Sequence, residues 1–385
     1  MPHYLSVGQI PAKRHVQFRS PAGALYHEEL MGIHGFSGIQ SILYHLRPPT
    51  RVKEVERIDS DEVLVEPQGT LRHRLLNTIK IKAEGDAINS RVVLMRNQDL
   101  SIAVATPTMA MPYWYRFAHG DEMIFVHHGT GEFESQFGVI QYGPGDYLMI
   151  PTGCIWRIVP NQDVDQRMLV VEAQGHFQPP RRYLNQSGQF LEHSPYCERD
   201  LRPPADLEPH DELGEFEVRV KSRGVITKVT YEHHPLDVVG WDGYLWPYAF
   251  NIADFEPITG SLHQPPPVHQ TFEAPGFVVC SFVPRLFDYH PDAIPAPYNH
   301  SNVDSDEIIY YVDGDFMSRR GVDSGSISIH PNGIPHGPHP GTYEGSIGKK
   351  ATDELAVMID TFRPLQITQR ALEFEATDYY KSWSE

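Results

Sequence analysis

The segment from Gly325 to His339, GSISIHPNGIPHGPH, places three histidines among three prolines and three glycines. Imidazole side chains bind transition metals and carry protons near neutral pH. A β-strand cannot continue through so many prolines, and the segment has little apolar surface to bury. The prolines would stiffen a corner that holds the histidines in place. Beyond its short Ser/Ile alternation, the segment therefore indicates a functional corner rather than a continuing strand.

Short apolar segments separated by turns make up most of the chain. Its 385 residues include 33 prolines and 30 glycines, which interrupt the sequence too often for long helices. Many short β-rich segments predict an all-β fold of sandwich or barrel type, with few short helices. A polar, proline-rich segment from about residue 176 to 215 separates two such halves. We therefore expect two domains, residues 1–212 and residues 213–385.

The two halves carry the same pair of motifs. DEMIFVHHG at 121–129 aligns without gaps to DEIIYYVDG at 306–314. A glycine-led segment follows each motif, GDYLMIPTGCIW from Gly145 and GSISIHPNGIPH from Gly325. Two ordered matches in each half predict an internal duplication.

The order of these motifs resembles the cupin superfamily, in which a small jelly-roll barrel holds a metal with two His and a Glu from the first motif and a His from the second. The resemblance implies one cupin domain in each half. In the N-terminal half, Glu122 keeps the glutamate position, but Arg116, Ala118 and Trp156 stand at the histidine positions. One carboxylate cannot hold a divalent transition metal. We therefore expect this cupin, with its extended N-terminal arm, to be metal-free and structural.

The C-terminal half keeps a metal-binding set. His300, Glu307 and His336 stand at cupin ligand positions, and Asn302 replaces the remaining histidine. Asp306 is a competing carboxylate, but the seven-residue step from Glu307 to the motif glycine repeats in the N-terminal half. Two imidazoles and one carboxylate form the facial triad of non-haem iron(II) oxygenases, whose open face receives substrate and oxygen. Zinc would bind too but cannot change its redox state, so we expect Fe(II).

Nearly the whole chain resembles the homogentisate 1,2-dioxygenase family of two-cupin enzymes. The resemblance lies in KRHVQFRSPAGALYHEELMGIHGFSGIQSILYH near the start and in PLDVVGWDGYLWPYAFNI in the middle. Near the end it lies in PYNH and SISIHPNGIPHGPH, where two histidines six residues apart before Gly-Pro are the most specific match. The family implies one Fe(II) per subunit, a homotrimer or a homohexamer of trimers, and oxygenation of homogentisate to 4-maleylacetoacetate in tyrosine and phenylalanine catabolism.

The resemblance also implies residues around the metal. His330, six residues before the last ligand, corresponds to the family's pocket histidine, which implies that it faces the substrate and helps to orient it during catalysis. The acid/base histidine corresponds best to His263, with His269 as the alternative in the same proline-rich loop. Many members carry a pocket tyrosine where this chain has Phe316, and we expect Tyr298 to compensate for the missing hydroxyl.

A substrate carboxylate would need a cation, and the sequence leaves Arg285, Arg319 and Arg320 as candidates. Two other functions also stay open. Phe316 favours a two-cupin dioxygenase that acts on another hydroquinone or a gentisate-like ring. A metal-binding cupin without catalysis is the remaining alternative, although the retained pocket histidines exceed what metal binding alone requires.

Composition limits the partners. With 32 basic and 50 acidic residues the net charge is −18, and without a basic run this argues against nucleic acid and anionic membranes. The three cysteines are far apart and form neither a zinc spacing nor a disulfide framework, and no signal or membrane segment is evident. We therefore expect a cytoplasmic protein whose ligands are a small aromatic substrate and O2.

Overall fold

The structure, a computed structural model, describes residues 3–60, 62–67, 69–319 and 321–384. Arg320, one of the three candidate cations, lies outside these residues. The described residues form strands and short 3₁₀ segments together with a single short α-helix, which confirms the all-β prediction. No helix among them is both long enough and apolar enough to cross a membrane. All three cysteines are free thiols.

Eighteen strands precede residue 252: β1 Leu5–Gly8, β2 His27–Gly32, β3 Gln40–His45, β4 Val52–Ser60, β5 Arg74–Leu76, β6 Val92–Arg96, β7 Leu100–Ala105, β8 Trp114–Phe117, β9 Glu122–His128, β10 Gly131–Ser135, β11 Gly138–Tyr142, β12 Asp146–Ile150, β13 Trp156–Pro160, β14 Arg167–Ala173, β15 Leu213–Ser222, β16 Val225–His233, β17 Val238–Gly243 and β18 Tyr248–Asn251. Eight strands follow: β19 Gln270–Ala274, β20 Phe277–Phe282, β21 Arg285–Leu286, β22 Asp306–Asp313, β23 Ile327–His330, β24 Ala351–Thr352, β25 Leu355–Thr361 and β26 Gln366–Ile367. The α-helix is α1, Thr342–Ser346, and the 3₁₀ segments are His34–Phe36, Thr78–Lys80, Arg181–Tyr183, Glu198–Asp200, Ile252–Asp254, Pro266–His269, Ala371–Phe374 and Tyr379–Trp383.

Two seven-stranded sheets form the first barrel, in the orders β11-β10-β13-β8-β15-β16-β4 and β18-β12-β9-β14-β7-β6-β26. Every residue of β12 and β14 is buried, which explains why the stretches YLMI and MLVV within them are continuously apolar rather than alternating. A separate four-stranded sheet, β1-β17-β3-β2, contains the N-terminal strands.

The second barrel contains a six-stranded sheet, β19-β20-β25-β22-β23-β5, and the two-stranded sheet β21-β24. Each half contributes a strand to the other: β5 pairs with β23, and β26 pairs with β6. The strands after residue 212 also belong to sheets of the N-terminal half, since β15 pairs with β8 and β18 pairs with β12. A division between residues 212 and 213 would separate them from these partners. We propose a division after β18 instead.

The motif glutamates occupy the same place in both barrels. Glu122 lies on β9 between β12 and β14, and Glu307 lies on β22 between β23 and β25. Each glutamate pairs with one residue on each neighbouring strand: Glu122 with Ile150 and Glu172, and Glu307 with His330 and Asp360. This shared register agrees with the internal duplication predicted from the motifs.

Candidate metal centre

The three predicted ligands of the C-terminal half lie together. Glu307 is near the start of β22, and His336 follows β23 after the proline-rich corner. His300 is joined to His336 by two backbone hydrogen bonds, of 2.8 and 2.9 Å. One potential ligand atom from each of the three side chains lies within 4.8 Å of the others. Glu307 Oε2 is 3.5 Å from His300 Nε2 and 3.3 Å from His336 Nε2.

The donor set fits a divalent first-row metal. Both ring nitrogens of His336 are buried without a hydrogen-bond partner, so Nε2 is left for a ligand beside the carboxylate. His300 Nδ1 lies 3.2 Å from the carbonyl oxygen of Tyr298. A proton on Nδ1 would donate to that carbonyl and direct the Nε2 lone pair toward the other two ligands. Two imidazoles and one carboxylate are the ligand types of mononuclear iron sites with open positions.

His330 holds the second oxygen of the carboxylate. Its Nδ1 lies 2.7 Å from Glu307 Oε1, and the side chain is completely buried. Burial lowers the pKa of His330 to about 3, so the ring is neutral and donates a hydrogen bond. Burial would raise the pKa of Glu307, but the surrounding imidazoles of His300, His330 and His336 lower it well below its usual range. The family resemblance implied a histidine that faces the substrate, whereas the structure places His330 behind the carboxylate.

A cavity of about 490 Å³ opens beside the triad. His300 and Glu307 line it together with aromatic, apolar and polar side chains from the loops around the barrel mouth. This volume is in the range of small-molecule sites and accommodates one substituted aromatic ring. The predicted pocket residues His263, His269, Tyr298 and Phe316 all line this cavity.

The two candidate acid/base histidines differ in their surroundings. His263 is half exposed, and its Nδ1 lies 3.3 Å from Asp288 Oδ2. His269 is buried with its ring 4.7 Å from that of Phe282, and Nδ1 has no hydrogen-bond partner. Burial, assisted by the charge of Arg285, lowers the pKa of His269 to about 3. His263 therefore has the accessible ring and the orienting carboxylate that proton transfer requires.

The aromatic residues form two parts of the cavity wall. The Tyr298 ring lies edge-on to His263 at 5.2 Å and to His300 at 6.1 Å. Phe316 packs edge-on against Tyr311 at 4.6 Å, and the Tyr311 hydroxyl is hydrogen-bonded to Ser328 Oγ at 2.8 Å. Phe316 therefore contributes an apolar face where many members of the family have a hydroxyl.

Asp360 is a cavity residue that the sequence reasoning missed. It lies on β25 directly opposite Glu307 and lines the cavity, 3.5 Å from the amide of Asn302. Burial and then the charge of Glu307 raise its pKa to about 7. The signal was present in the sequence, because the segments QRMLVVEA and ELAVMID of the duplicated halves both carry an acid at this position.

His73 was missed as well. It comes from the N-terminal half just before β5, and its ring lies edge-on at 5.5 Å from His330 and 6.2 Å from His336. The ring of Trp383, near the end of the chain, lies 4.6 Å away. Burial lowers the pKa of His73 to about 4. No motif marks this residue, because its position depends on the exchange of strands between the halves.

The first barrel corrects one position of the motif alignment. We expected Arg116 at the first ligand position, but the strand partner of Trp156 is Tyr115, just as the partner of His336 is His300. Tyr115 precedes its motif glutamate by seven residues, the same step as from His300. The motif alignment therefore misassigned this position by one residue.

A guanidinium group lies among the three equivalent positions of the first barrel. Arg91 Nη1 is 2.9 Å from Glu122 Oε1 and 2.9 Å from Glu172 Oε1. The Trp156 indole donates to Glu122 Oε2 at 3.2 Å. The Arg91 carbon Cζ lies 5.7 Å from the Tyr115 ring and 6.0 Å from the Trp156 ring. The Arg91 cation thus compensates the charge of Glu122. The equivalent carboxylate of the second barrel, Glu307, faces the imidazoles of His300 and His336 instead.

Two β-barrels, one of which presents a His–Glu–His set to a cavity, define a two-cupin protein with a candidate metal centre. The chain belongs to the homogentisate 1,2-dioxygenase family. The protein-family model described as "Homogentisate 1,2-dioxygenase N-terminal" matches residues 25–252. The family model described as "Homogentisate 1,2-dioxygenase C-terminal" matches residues 263–385. The first match ends one residue after β18, and the second begins at residue 263.

Two relatives found by sequence agree with this assignment. The chain is 40% identical over 386 residues to the protein named "Putative dioxygenase SSO1533" of Saccharolobus solfataricus, covering 100% of this chain and 99% of that one. It is 29% identical over 300 residues to homogentisate 1,2-dioxygenase of Nitrobacter hamburgensis, covering 73% of this chain and 65%, less than two thirds, of that one. A cupin 2 conserved barrel domain protein from Leptotrichia buccalis is similar in structure with a TM-score of 0.35 and 10% identity, covering 78% of this chain and 100% of that one.

Proposed function

We propose that this protein is an Fe(II)-dependent dioxygenase that opens the ring of homogentisate with O2 and yields 4-maleylacetoacetate. The observation that carries the proposal is the convergence of His300, Glu307 and His336 beside a cavity of about 490 Å³ in a member of this family. Both atoms of O2 enter the product, so the reaction needs no external reductant.

The triad would hold iron(II) through His300 Nε2, His336 Nε2 and Glu307 Oε2, and bound iron would supply the redox chemistry that activates oxygen. The surrounding residues prepare these ligands. His330 binds Glu307 Oε1 and so directs Oε2 toward the two imidazoles. The carbonyl of Tyr298 favours the His300 tautomer whose Nε2 is free to bind a metal.

His263 is the residue we assign to proton transfer. It lines the cavity, and Asp288 lies within reach of its Nδ1, which would hold the ring with Nε2 free to accept the proton of a substrate hydroxyl. The apolar face of Phe316 and the ring of Tyr298 would flank the aromatic substrate and exclude water from it. His269 is too deeply buried and too weakly basic to be the better candidate.

Oxygen uptake tests the proposal directly. Protein reconstituted with Fe(II) under anaerobic conditions would be offered homogentisate, gentisate or hydroquinone, with ultraviolet absorbance following the ring-opened product. We expect one O2 consumed per homogentisate opened. The proposal is rejected if iron-loaded protein consumes no oxygen with any of the three rings.

A dioxygenase for another hydroquinone or a gentisate-like ring is the second candidate. Phe316 favours it, because the cavity lacks at that position the hydroxyl found in many homogentisate dioxygenases. Uptake with gentisate or hydroquinone but not with homogentisate would support this candidate and leave the assignment of the metal centre unchanged.

We also propose that the protein acts in the cytoplasm, because its three cysteines form no disulfide framework, and that it assembles as the homotrimer or homohexamer that the family resemblance implies. Sedimentation equilibrium of the full chain would test the assembly. A monomer would reject it.

A further inference from the structure

Two arginines among the described residues line the cavity, and their charges are balanced differently. Arg285 Nη1 lies 2.9 Å from Glu354 Oε1 and also donates to the carbonyl of Val283 at 3.2 Å. Its charge is therefore neutralised within the protein. Arg319 has no carboxylate oxygen of the described residues within 4.0 Å of its guanidinium, although it borders the same cavity.

Arg319 is nevertheless held in a defined position. Its Nη1 donates to the carbonyl of Gly337 at 2.6 Å and, more weakly, to that of Ser318 at 3.4 Å. The guanidinium lies 5.9 Å from the centre of the Trp383 ring. Its Nε is buried without a hydrogen-bond partner. A partly buried cation with an unsatisfied donor is costly, which indicates a role for an incoming anion.

The carboxylates around the cavity are engaged elsewhere. Glu307 faces the imidazoles of the triad, Glu354 pairs with Arg285, and Asp288 lies beside His263. Asp360 lies on β25, the strand on one side of Glu307. The strand on the other side is β23, and beyond it Arg319 donates to Gly337, the residue after His336. An anionic substituent in the cavity would be repelled from the first side and attracted to the second.

We infer that Arg319 binds a carboxylate carried by the aromatic substrate, so that the site selects aryl carboxylic acids of the arylacetate type over neutral rings. This inference rests on the proposed function. A guanidinium presents parallel N–H donors that match a carboxylate, and the donors that remain after the contacts with Gly337, Ser318 and Tyr311 suit this interaction. Arg319 is thus a specificity residue at the same cavity, distinct from the metal ligands.

The first experiment compares two rings that differ only in the carboxylate. Homogentisate and methylhydroquinone would be turned over by wild-type protein and by Arg319→Met, with iron content measured in each preparation. We expect the variant to lose about 10- to 100-fold in kcat/KM for homogentisate, the value of a charge-assisted hydrogen bond, with little change for methylhydroquinone. Arg285→Met is the matched control, and it should shift both substrates by the same factor.

The second experiment needs no turnover. Calorimetry of metal-free protein with phenylacetate and with benzyl alcohol would measure the carboxylate preference alone. We expect Arg319→Met to weaken phenylacetate binding about 10-fold or more and to leave benzyl alcohol unchanged. A variant that binds phenylacetate as wild type does, or that loses both rings equally in the kinetic assay, overturns the inference.

The two experiments separate this inference from the proposed function. If wild-type protein opens no ring but its binding of phenylacetate depends on Arg319, the proposed function fails and the carboxylate site stands. If homogentisate is opened equally well with and without Arg319, the function stands and the inference fails. If wild-type protein neither opens a ring nor binds phenylacetate, both fail.

Discussion

The two barrels place a glutamate at the same strand position and surround it with different partners. In the second barrel Glu307 faces His300 and His336, whose ring nitrogens are left for a metal. In the first barrel the equivalent Glu122 is bound by the guanidinium of Arg91 and the indole of Trp156. A buried carboxylate requires a compensating charge or hydrogen bonds, and the two barrels meet this requirement in different ways.

The difference indicates how a barrel without metal ligands at these positions can keep its fold. A bound metal is exchangeable and has open positions for substrate, whereas Arg91 is covalently part of the chain and has no such positions. Loss of the ligands at the first-barrel positions therefore does not leave Glu122 unpaired. We expect the first barrel to serve as a scaffold. The N-terminal half also contributes strand β5 to the second barrel.

The largest effect should follow from removing a ligand of the second barrel. His336→Ala leaves one imidazole and one carboxylate, and we expect iron content to fall to background and ring opening to disappear. The loss should exceed the roughly 10- to 100-fold weakening that is typical of residues outside the ligand set. Plasma emission measures iron per chain, and circular dichroism checks the fold.

The sister position provides the control for His336. Trp156→Phe removes the indole donor from the first barrel and should leave iron content unchanged, because no ligand is altered. Normal iron content in His336→Ala, or iron loss in Trp156→Phe, would contradict the assignment of the metal to the second barrel.

The built-in cation of the first barrel makes the next prediction. Arg91→Met leaves Glu122 and Glu172 buried with less compensation, so we expect a loss of about 3–5 kcal/mol in the free energy of unfolding of the first barrel. Four of the five tryptophans precede residue 252, so urea unfolding followed by tryptophan fluorescence reports mainly on that barrel. Adding Glu122→Gln should recover part of the loss.

Iron content distinguishes the two barrels again in this experiment. It should be normal in Arg91→Met protein that remains folded, since the second barrel keeps its ligands. A variant as stable as wild type would mean that Arg91 does not compensate the buried carboxylates.

The sequence was informative where a function leaves a local motif. The proline-rich corner, the repeated glutamate and the short apolar segments predicted the all-β fold and the positions that come together at the candidate metal centre. It was uninformative where partners come from distant strands. Arg91 lies 31 residues before Glu122, and His73 reaches the metal centre only because β5 crosses to the other barrel. Neither contact has a fixed spacing that a pattern could detect.

The hydrogen bond behind the carboxylate gives a smaller effect. His330→Phe removes the donor to Glu307 Oε1, and we expect metal affinity to weaken by about 10- to 100-fold. His330→Gln keeps an N–H donor and should lose less. The first barrel has the apolar Ile150 at this strand position, which is possible because the donors of Arg91 and Trp156 already satisfy its glutamate.

Metal titration with a competing chelator measures this difference. Equal affinities for the phenylalanine and glutamine variants would mean that the ring fills space and does not orient Glu307. Unfolding of the apo proteins should be compared first, because a packing defect would lower the stability of both variants.

The smallest effect concerns the acids beside the motif glutamates. Their replacement should change the free energy of unfolding in opposite directions in the two barrels. Lys221 and Arg91 outweigh burial and lower the pKa of Glu172, whereas burial and Glu307 raise that of Asp360 to about 7. Glu172→Gln should therefore destabilise the protein, whereas Asp360→Asn should stabilise metal-free protein by about 1 kcal/mol at pH 8, where the native carboxylate carries its charge. For an acid with a raised pKa the folded state binds the proton more tightly than the unfolded state, so stability falls as the pH rises through about 7 and the asparagine variant should lack this fall.

Adding metal supplies positive charge near Glu307 and should reduce or reverse the gain, which urea unfolding between pH 5 and 8 with and without metal would measure. A gain that is the same at both pH values would show that packing rather than charge is responsible, and the contrast between the two acids would then not be electrostatic.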